Sequence, residues 1–224
     1  MLIIIQARLS SKRLPEKVLK KINGLEIIKH IVKNLEGSKY KFKIVVATSN
    51  NKSDKKLLNF LKKNNIIYFC SSLNNVLNRL LKCALFYNAK YFIRINGDSP
   101  FIDKRIIEKM AYFLNRNYNK YDLITNVFPR TFPKGQSVEI IKTNCLKKIV
   151  RKKLSKYHKE HVTKYLYDNY KLFKIKNMPN IINLNDYNLS VDTKRELNLF
   201  KKKLKNVSLN NYIKFEKLIK IIYE

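Results

Sequence analysis

The sequence predicts an α/β fold, a mostly parallel sheet flanked by helices on both faces. Three observations predict it. Four short apolar runs in the first half of the chain are each followed by a helical pattern, the rhythm of successive strand-then-helix units. The runs are continuously apolar, as strands buried on both faces are, and do not alternate with polar residues. With 224 residues, 45% hydrophobic and 12% aromatic, the chain can bury a real core, which excludes disordered and collagenous classes.

The first run, residues 2–6 (LIIIQ), passes into the polar segment ARLSSKRLPEK, after which Leu25 to Leu35 has helical spacing. KIVVAT (43–48) precedes a helix from about Ser53 to Lys63, with Ser53 as its expected N-cap. IIYFC (66–70) leads to a helix from Asn74 to Tyr87. KYFIRI (90–95) runs into Asn96-Gly97-Asp98-Ser99-Pro100 and a helix from Lys104 to about Arg116. Next, DLITN (122–126), the Pro-punctuated loop FPRTFPKG (128–135) and SVEII (137–141) read as the start of a small antiparallel insertion spanning about 122–177. Helical patterns at Thr143 to Leu154 and His158 to Tyr167, a strand near LFKIKN (172–177) and a short strand NLSV (188–191) ending at Asp192 follow. Residues from about 193 to 224 read as C-terminal amphipathic helices, and no linker or repeat divides the chain, so residues 1–224 are expected to form a single domain.

The charge is extreme: 48 Lys and Arg against 16 Asp and Glu, formally +32. Such a balance invites a nucleic-acid reading. Only nine of the cations are arginines, however, and the 39 lysines run through the whole chain among many Asn and Ile, a composition expected of AT-rich coding. Lysine runs of this kind are solvated faces. The early apolar run Met1 to Ile5 is too short for a signal-peptide core or a membrane span, and Cys70, Cys83 and Cys145 contain no CxxC. A cytoplasmic protein with reduced, packed thiols is expected. Where lysine is the default, the informative residues are the rare ones.

Open parallel sheets bind ligands beyond the carboxyl ends of their strands, and the rare residues collect there. After the first strand come Arg8, Ser10, Ser11, Lys12, Arg13 and Lys17, a candidate polyphosphate loop without the Walker A pattern: planar guanidinium forks, hydroxyl donors and a mobile ammonium. Gly97 and Asp98 follow the fourth strand, where a carboxylate suits Mg²⁺. Asp192 is either a helix N-cap or a second metal carboxylate. Together these residues describe metal-assisted nucleotidyl transfer. His30 reads as a core histidine. His158 and His161 lack metal-ligand spacing, although His161 is placed to contact a polar substrate.

IIQARLSSKRLPEKVL (4–19), RINGDSPFID (94–103), PRTFPKGQSVE (129–139), EHVTKY (160–165) and VDT (191–193) resemble, in order and spacing, the cytidylyltransferase family of the spore-coat polysaccharide biosynthesis SpsF type, related to CMP-Kdo and CMP-sialate synthetases. The resemblance spans about residues 2–200. It implies a Rossmann-like, GT-A-like nucleotidyltransferase fold. It also implies a reaction that joins CMP from CTP to an acidic sugar or related acceptor, with release of pyrophosphate and Mg²⁺ as cofactor, in surface polysaccharide biosynthesis. On matching positions, Arg8, Arg13 and Lys17 would be the catalytic cations, beside Ala7, Ser10, Ser11 and Gly97 at the nucleotide. Asp98 and Asp192 would bind the metal. Arg79, in NNVLNR (74–79) where the family has EDVLxR, would lie near the base, and Arg94, Arg130, Glu139 and His161 would face the acceptor. Related synthetases are often dimers, which leaves a homodimer open. Departures from the family pattern are Ser10 for a common Gly, Asn74 and Asn75 for an acidic pair, and Ser137 for an acidic residue. Two alternatives stand beside this reading: a glycosyltransferase using a nucleotide sugar on a similar fold, and a basic nucleic-acid-binding protein.

Overall fold

The computed structural model describes residues 1–209 and 212–224. In chain order, β1 (Leu2–Gln6) is followed by a hairpin of β2 (Lys21–Ile22) and β3 (Leu25–Glu26), then α1 (Ile27–Glu36). Three further strand–helix units come next: β4 (Lys43–Ser49) with α2 (Lys55–Lys63), β5 (Tyr68–Ser71) with α3 (Val76–Phe86), and β6 (Tyr91–Asn96) with α4 (Lys104–Arg116). The second half contains β7 (Leu123–Thr125), β8 (Glu139–Lys142), α5 (Thr143–Ile149), α6 (Lys156–Glu160), α7 (Lys164–Asp168) and β9 (Ile175–Asn177), and ends with α8 (Lys194–Lys203) and α9 (Phe215–Tyr223).

Seven strands form one sheet in the order β5-β4-β1-β6-β8-β7-β9. The first four are mutually parallel; β8 runs antiparallel to both β6 and β7, and β9 is parallel to β7. The antiparallel segment predicted from residue 122 therefore extends the main sheet beyond β6. Successive residues of β1 feed opposite cores. Ile3 and Ile5 pack with Val46, Ile93 and Ile95 beneath α1, α2, α4, α8 and α9, whereas Leu2 and Ile4 join Val45, Ala47 and Phe92 beneath α3 and α5. This period of two, with helices on both faces, explains why the strands are apolar throughout. Each fully buried Ile contributes about 1.5–3 kcal/mol.

Several boundaries differ from the sequence expectation. Leu25 and Glu26 are not helical: they pair with Lys21 and Ile22 across a turn in which Asn23 (φ 47°) and Gly24 (φ 77°) take the left-handed conformations a two-residue hairpin requires. Ser53 caps nothing; Asn51 accepts its N–H at 3.0 Å and starts a single 3₁₀ turn, after which α2 begins. The helix expected through Leu154 stops at Ile149, since the exposed cations Arg151, Lys152 and Lys153 offer no apolar contact to extend it. The pattern from His158 to Tyr167 is split at His161, whose backbone leaves the helical region so that Val162 is buried. Residues 188–191 make one bridge, from Asn188 to Lys134, in place of a strand. The Asn188 side chain takes the Ser190 N–H at 2.9 Å and hydroxyl at 2.7 Å, a local turn that competes with a ladder. His30 is buried, with Nε2 2.9 Å from the Ile22 carbonyl oxygen, and ties α1 to the hairpin. Among the described residues no helix is long and apolar enough to cross a membrane.

Candidate functional site

The site begins where β1 and β6 end side by side. Gln6 pairs with Asn96, and the Gly97 N–H donates to the Gln6 carbonyl at 2.9 Å. A Cβ on Gly97 would lie 2.8 Å from that oxygen and 3.1 Å from Ala7 Cβ, so this approach of two chains requires glycine. Beyond the strand ends lies a cavity of about 670 Å³. Ala7, Arg8, Ser10, Ser11, Arg13 and Lys17 line it from the first loop, Arg94 from β6, Gly97 and Asp98 from the turn just after it, His161 from the turn after α6, and Asp192 from the segment before α8.

Asp98 and Asp192 come together through the backbone: the Val191 N–H donates to the Asp98 carbonyl at 2.8 Å. Asp192 is not the cap of α8. Thr193 takes that role in a reciprocal capping box with Glu196, whose carboxylate accepts the Thr193 N–H at 2.7 Å and the Asp192 N–H at 2.6 Å. The Asp192 side chain is thereby free to face the cavity. Lys17 Nζ sits between the two acids, 2.9 Å from Asp98 Oδ2 and 2.8 Å from Asp192 Oδ1. Burial pulls the Lys17 pKa down, but the charges and hydrogen bonds of Asp98 and Asp192 outweigh it and hold the ammonium above its usual value. Arg13 Nη2 lies 3.2 Å from Asp192 Oδ1, and Arg8 pairs with Glu160. Arg8, Arg13 and Lys17, the three loop cations that the resemblance marks as catalytic, thus each rest on a carboxylate.

A second network runs behind the cavity wall. Arg94 donates through Nε to Gln6 Oε1 at 3.1 Å and pairs through Nη1 with Glu139. The other Glu139 oxygen accepts from the Tyr167 hydroxyl, which is also 2.8 Å from Thr125 Oγ1. Burial, reinforced by the Glu139 charge, pushes the Tyr167 phenol well above its usual pKa.

A family profile described as cytidylyltransferase matches residues 2–224. The chain belongs to the cytidylyltransferase family. The spore coat polysaccharide biosynthesis protein SpsF of Bacillus subtilis is 30% identical to this cytidylyltransferase over 202 residues, 87% of this chain and 82% of SpsF. A solved cytidylyltransferase from Leptospira borgpetersenii superposes with a TM-score of 0.91 at 31% identity, covering 98% of this chain and 95% of that one. A CMP-2-keto-3-deoxy-manno-octonic acid synthetase solved with CTP superposes with a TM-score of 0.68 over 92% of this chain and 98% of its own, and at 15% identity this likeness concerns the fold, that of Rossmann-like nucleotidyltransferases.

Not every predicted site residue of this cytidylyltransferase reaches the cavity. Glu139 stands behind Arg94, and Arg130 is spent on Ser137 Oγ at 3.0 Å, with burial lowering its pKa. Arg79, expected near a base, is fully buried; its Nη1 donates to the Ser72 carbonyl at 2.8 Å. Burial and the nearby Arg8 charge push the Arg79 pKa down to about 10, and its Nε and Nη2 have no hydrogen-bond partner among the described residues. Arg79 and Glu139 belong to buried layers because α3 and β8 turn them inward, whereas Arg130 is half-buried in the loop between β7 and β8. The departures find local roles: Asn75 caps α3 by accepting the Asn78 N–H at 2.9 Å, Ser137 partners Arg130, and Ser10 does not adopt positive φ, so it carries no strain in place of glycine. Gln6, Asp54 and Glu160 were not foreseen; each acts through a partner far away in sequence.

The acid pair fits a hard divalent cation. Two carboxylates converge on a single ammonium, a stand-in cation, and Mg²⁺ characteristically takes one or two protein carboxylates and fills its other positions with water and substrate phosphate.

Proposed function

We propose that this chain joins CMP from CTP to an oxygen of an acidic sugar or related acceptor and releases pyrophosphate. The observation carrying the reading is the cavity in which Lys17, held between Asp98 and Asp192, faces a loop bearing Arg8 and Arg13. The acceptor oxygen would attack the α-phosphorus; the bond from that phosphorus to the bridging oxygen would break, its electron pair leaving with pyrophosphate, and the acceptor proton would pass to solvent. Arg8, Arg13 and Lys17 would exchange their carboxylates for phosphate oxygens, orienting the triphosphate and neutralising the charge that builds on the departing group. Asp98 and Asp192 would hold Mg²⁺, which when bound supplies further charge neutralisation at the phosphates. Arg94, fixed by Gln6 and Glu139, presents a guanidinium to the cavity that suits an acceptor carboxylate.

The test is pyrophosphate release from each of the four NTPs across a panel of sugar acids, with Asp98→Asn as control. CTP-dependent release above the control, with at least one acid acceptor, is expected. No release from CTP with any acceptor overturns the reading.

A further inference from the structure

We infer that Asp54 is a positioning residue for the loop that faces the cavity, gripping its backbone from the buried side. The inference rests on reading that loop as a triphosphate site. Asp54 lies at the start of α2, is fully buried and does not line the cavity. Its Oδ1 accepts the Leu9 N–H at 2.7 Å, and its Oδ2 accepts the Ser49 hydroxyl at the end of β4. Leu9 is the pivot of the loop. Its carbonyl accepts the Ser11 N–H at 2.8 Å and the Glu16 N–H at 3.1 Å, and its side chain is buried, so both backbone polar groups and the side chain are fixed. Arg8, Ser10, Ser11 and Arg13, on either side of Leu9, all line the cavity.

The strand ends are already joined, since the Ala7 N–H donates to the Ala47 carbonyl at 3.2 Å. Asp54 extends that union past the sheet into the loop. A carboxylate serves because it accepts two strong hydrogen bonds at once, from N–H and O–H donors approaching from different elements. No lysine or arginine among the described residues forms a salt bridge with Asp54; the buried Arg79 acts on it only at longer range.

Charge and geometry predict opposite signs here. As a negative charge beneath an anion site, Asp54 opposes a triphosphate, so removing it would tighten binding if charge were its whole effect. If it sets the loop, removal weakens binding in spite of the charge lost. A role confined to overall stability would lower the unfolding temperature and leave the affinity of the folded protein unchanged.

The experiment measures binding of CTP, and separately of inorganic tripolyphosphate, to the full chain by calorimetry, well below each variant's unfolding temperature. Asp54→Ala is expected to weaken CTP about tenfold, the scale of losing a hydrogen bond to a charged group, and Asp54→Asn, whose amide oxygen still accepts the Leu9 N–H, to stay within about threefold of wild type. Should Asp54→Ala not fold, Ser49→Ala decides, with a weakening of about threefold expected because Oδ2 loses its anchor. Wild-type affinity or tighter binding in the deciding variant overturns the inference, as does an Asp54→Asn loss equal to that of Asp54→Ala. A wild-type chain that binds neither CTP nor tripolyphosphate overturns the triphosphate reading and the inference with it; wild-type binding with unimpaired variants overturns the inference alone.

Discussion

Lys17 Nζ lies 2.8 Å from Asp192 Oδ1, and the same ammonium is 2.9 Å from Asp98 Oδ2. A protein cation thus occupies the point on which two carboxylates from distant parts of the chain converge. Replacing it by Lys17→Met leaves two partly buried acids facing each other, at a stability cost of about 1–3 kcal/mol. The same variant is expected to bind Mn²⁺ more tightly than wild type without nucleotide, and CTP less tightly. Electron paramagnetic resonance reads the first and calorimetry the second. Unchanged Mn²⁺ affinity would show that the ammonium does not compete for that point.

Gly97→Ala puts a methyl group 2.8 Å from the Gln6 carbonyl oxygen. Both neighbours are strand ends, so the backbone must shift, at about 1–3 kcal/mol in urea unfolding. Because Asp98 follows directly, nucleotide turnover should fall further than stability does. A variant with native stability would mean that the strand ends separate easily.

Tyr167→Phe removes the hydroxyl that donates to Glu139 and contacts Thr125. The lost buried hydrogen bond is expected to cost about 1–2 kcal/mol. With Glu139 less firmly held, Arg94 should lose its fixed orientation, raising the acceptor KM while the CTP dissociation constant holds. An equal rise in both constants would place the network under the nucleotide.

His30 gives a pH prediction. Burial holds its pKa below the ordinary 6.5, opposed mainly by the Ile22 carbonyl contact. The folded state therefore binds the proton less tightly than the unfolded chain. Its contribution is complete above about pH 6.5 and is lost as pH falls below that value toward the folded pKa. His30→Gln keeps a donor for the Ile22 carbonyl and does not titrate. The drop in urea midpoint from about pH 7.5 to about pH 5.5 should be smaller in the variant than in wild type; an equal drop would remove His30 as a cause.

Sequence patterns located β1, β4, β6 and α4 well because burial on both faces and a clear 3.6-residue period leave little choice. They also brought Arg8, Arg13, Lys17, Asp98 and Asp192 to one cavity, since ligand sites in parallel sheets gather beyond the strand ends. Some missed features were visible locally: Asn23-Gly24 announces the hairpin, and Thr193 with Glu196 announces the capping box that frees Asp192. Others had no local signal. Nothing near Asp54 says that it will grip Leu9, 45 positions earlier, and nothing near Arg79 says that α3 turns it inward. Such contacts depend on how elements dock, which period and propensity do not encode.

The pairing of the loop cations has an electrical consequence. Arg8, Arg13 and Lys17 are matched by Glu160, Asp192 and Asp98, so this corner of a chain carrying +32 is close to neutral. Under the proposed function, the cavity would then behave as an ion exchanger. A monovalent anion offers each cation nothing better than the carboxylate it already has, whereas a polyanion can engage several at once and gains from their proximity. On that reading the corner would select by valence, and the lysine excess outside it would only bring anions near.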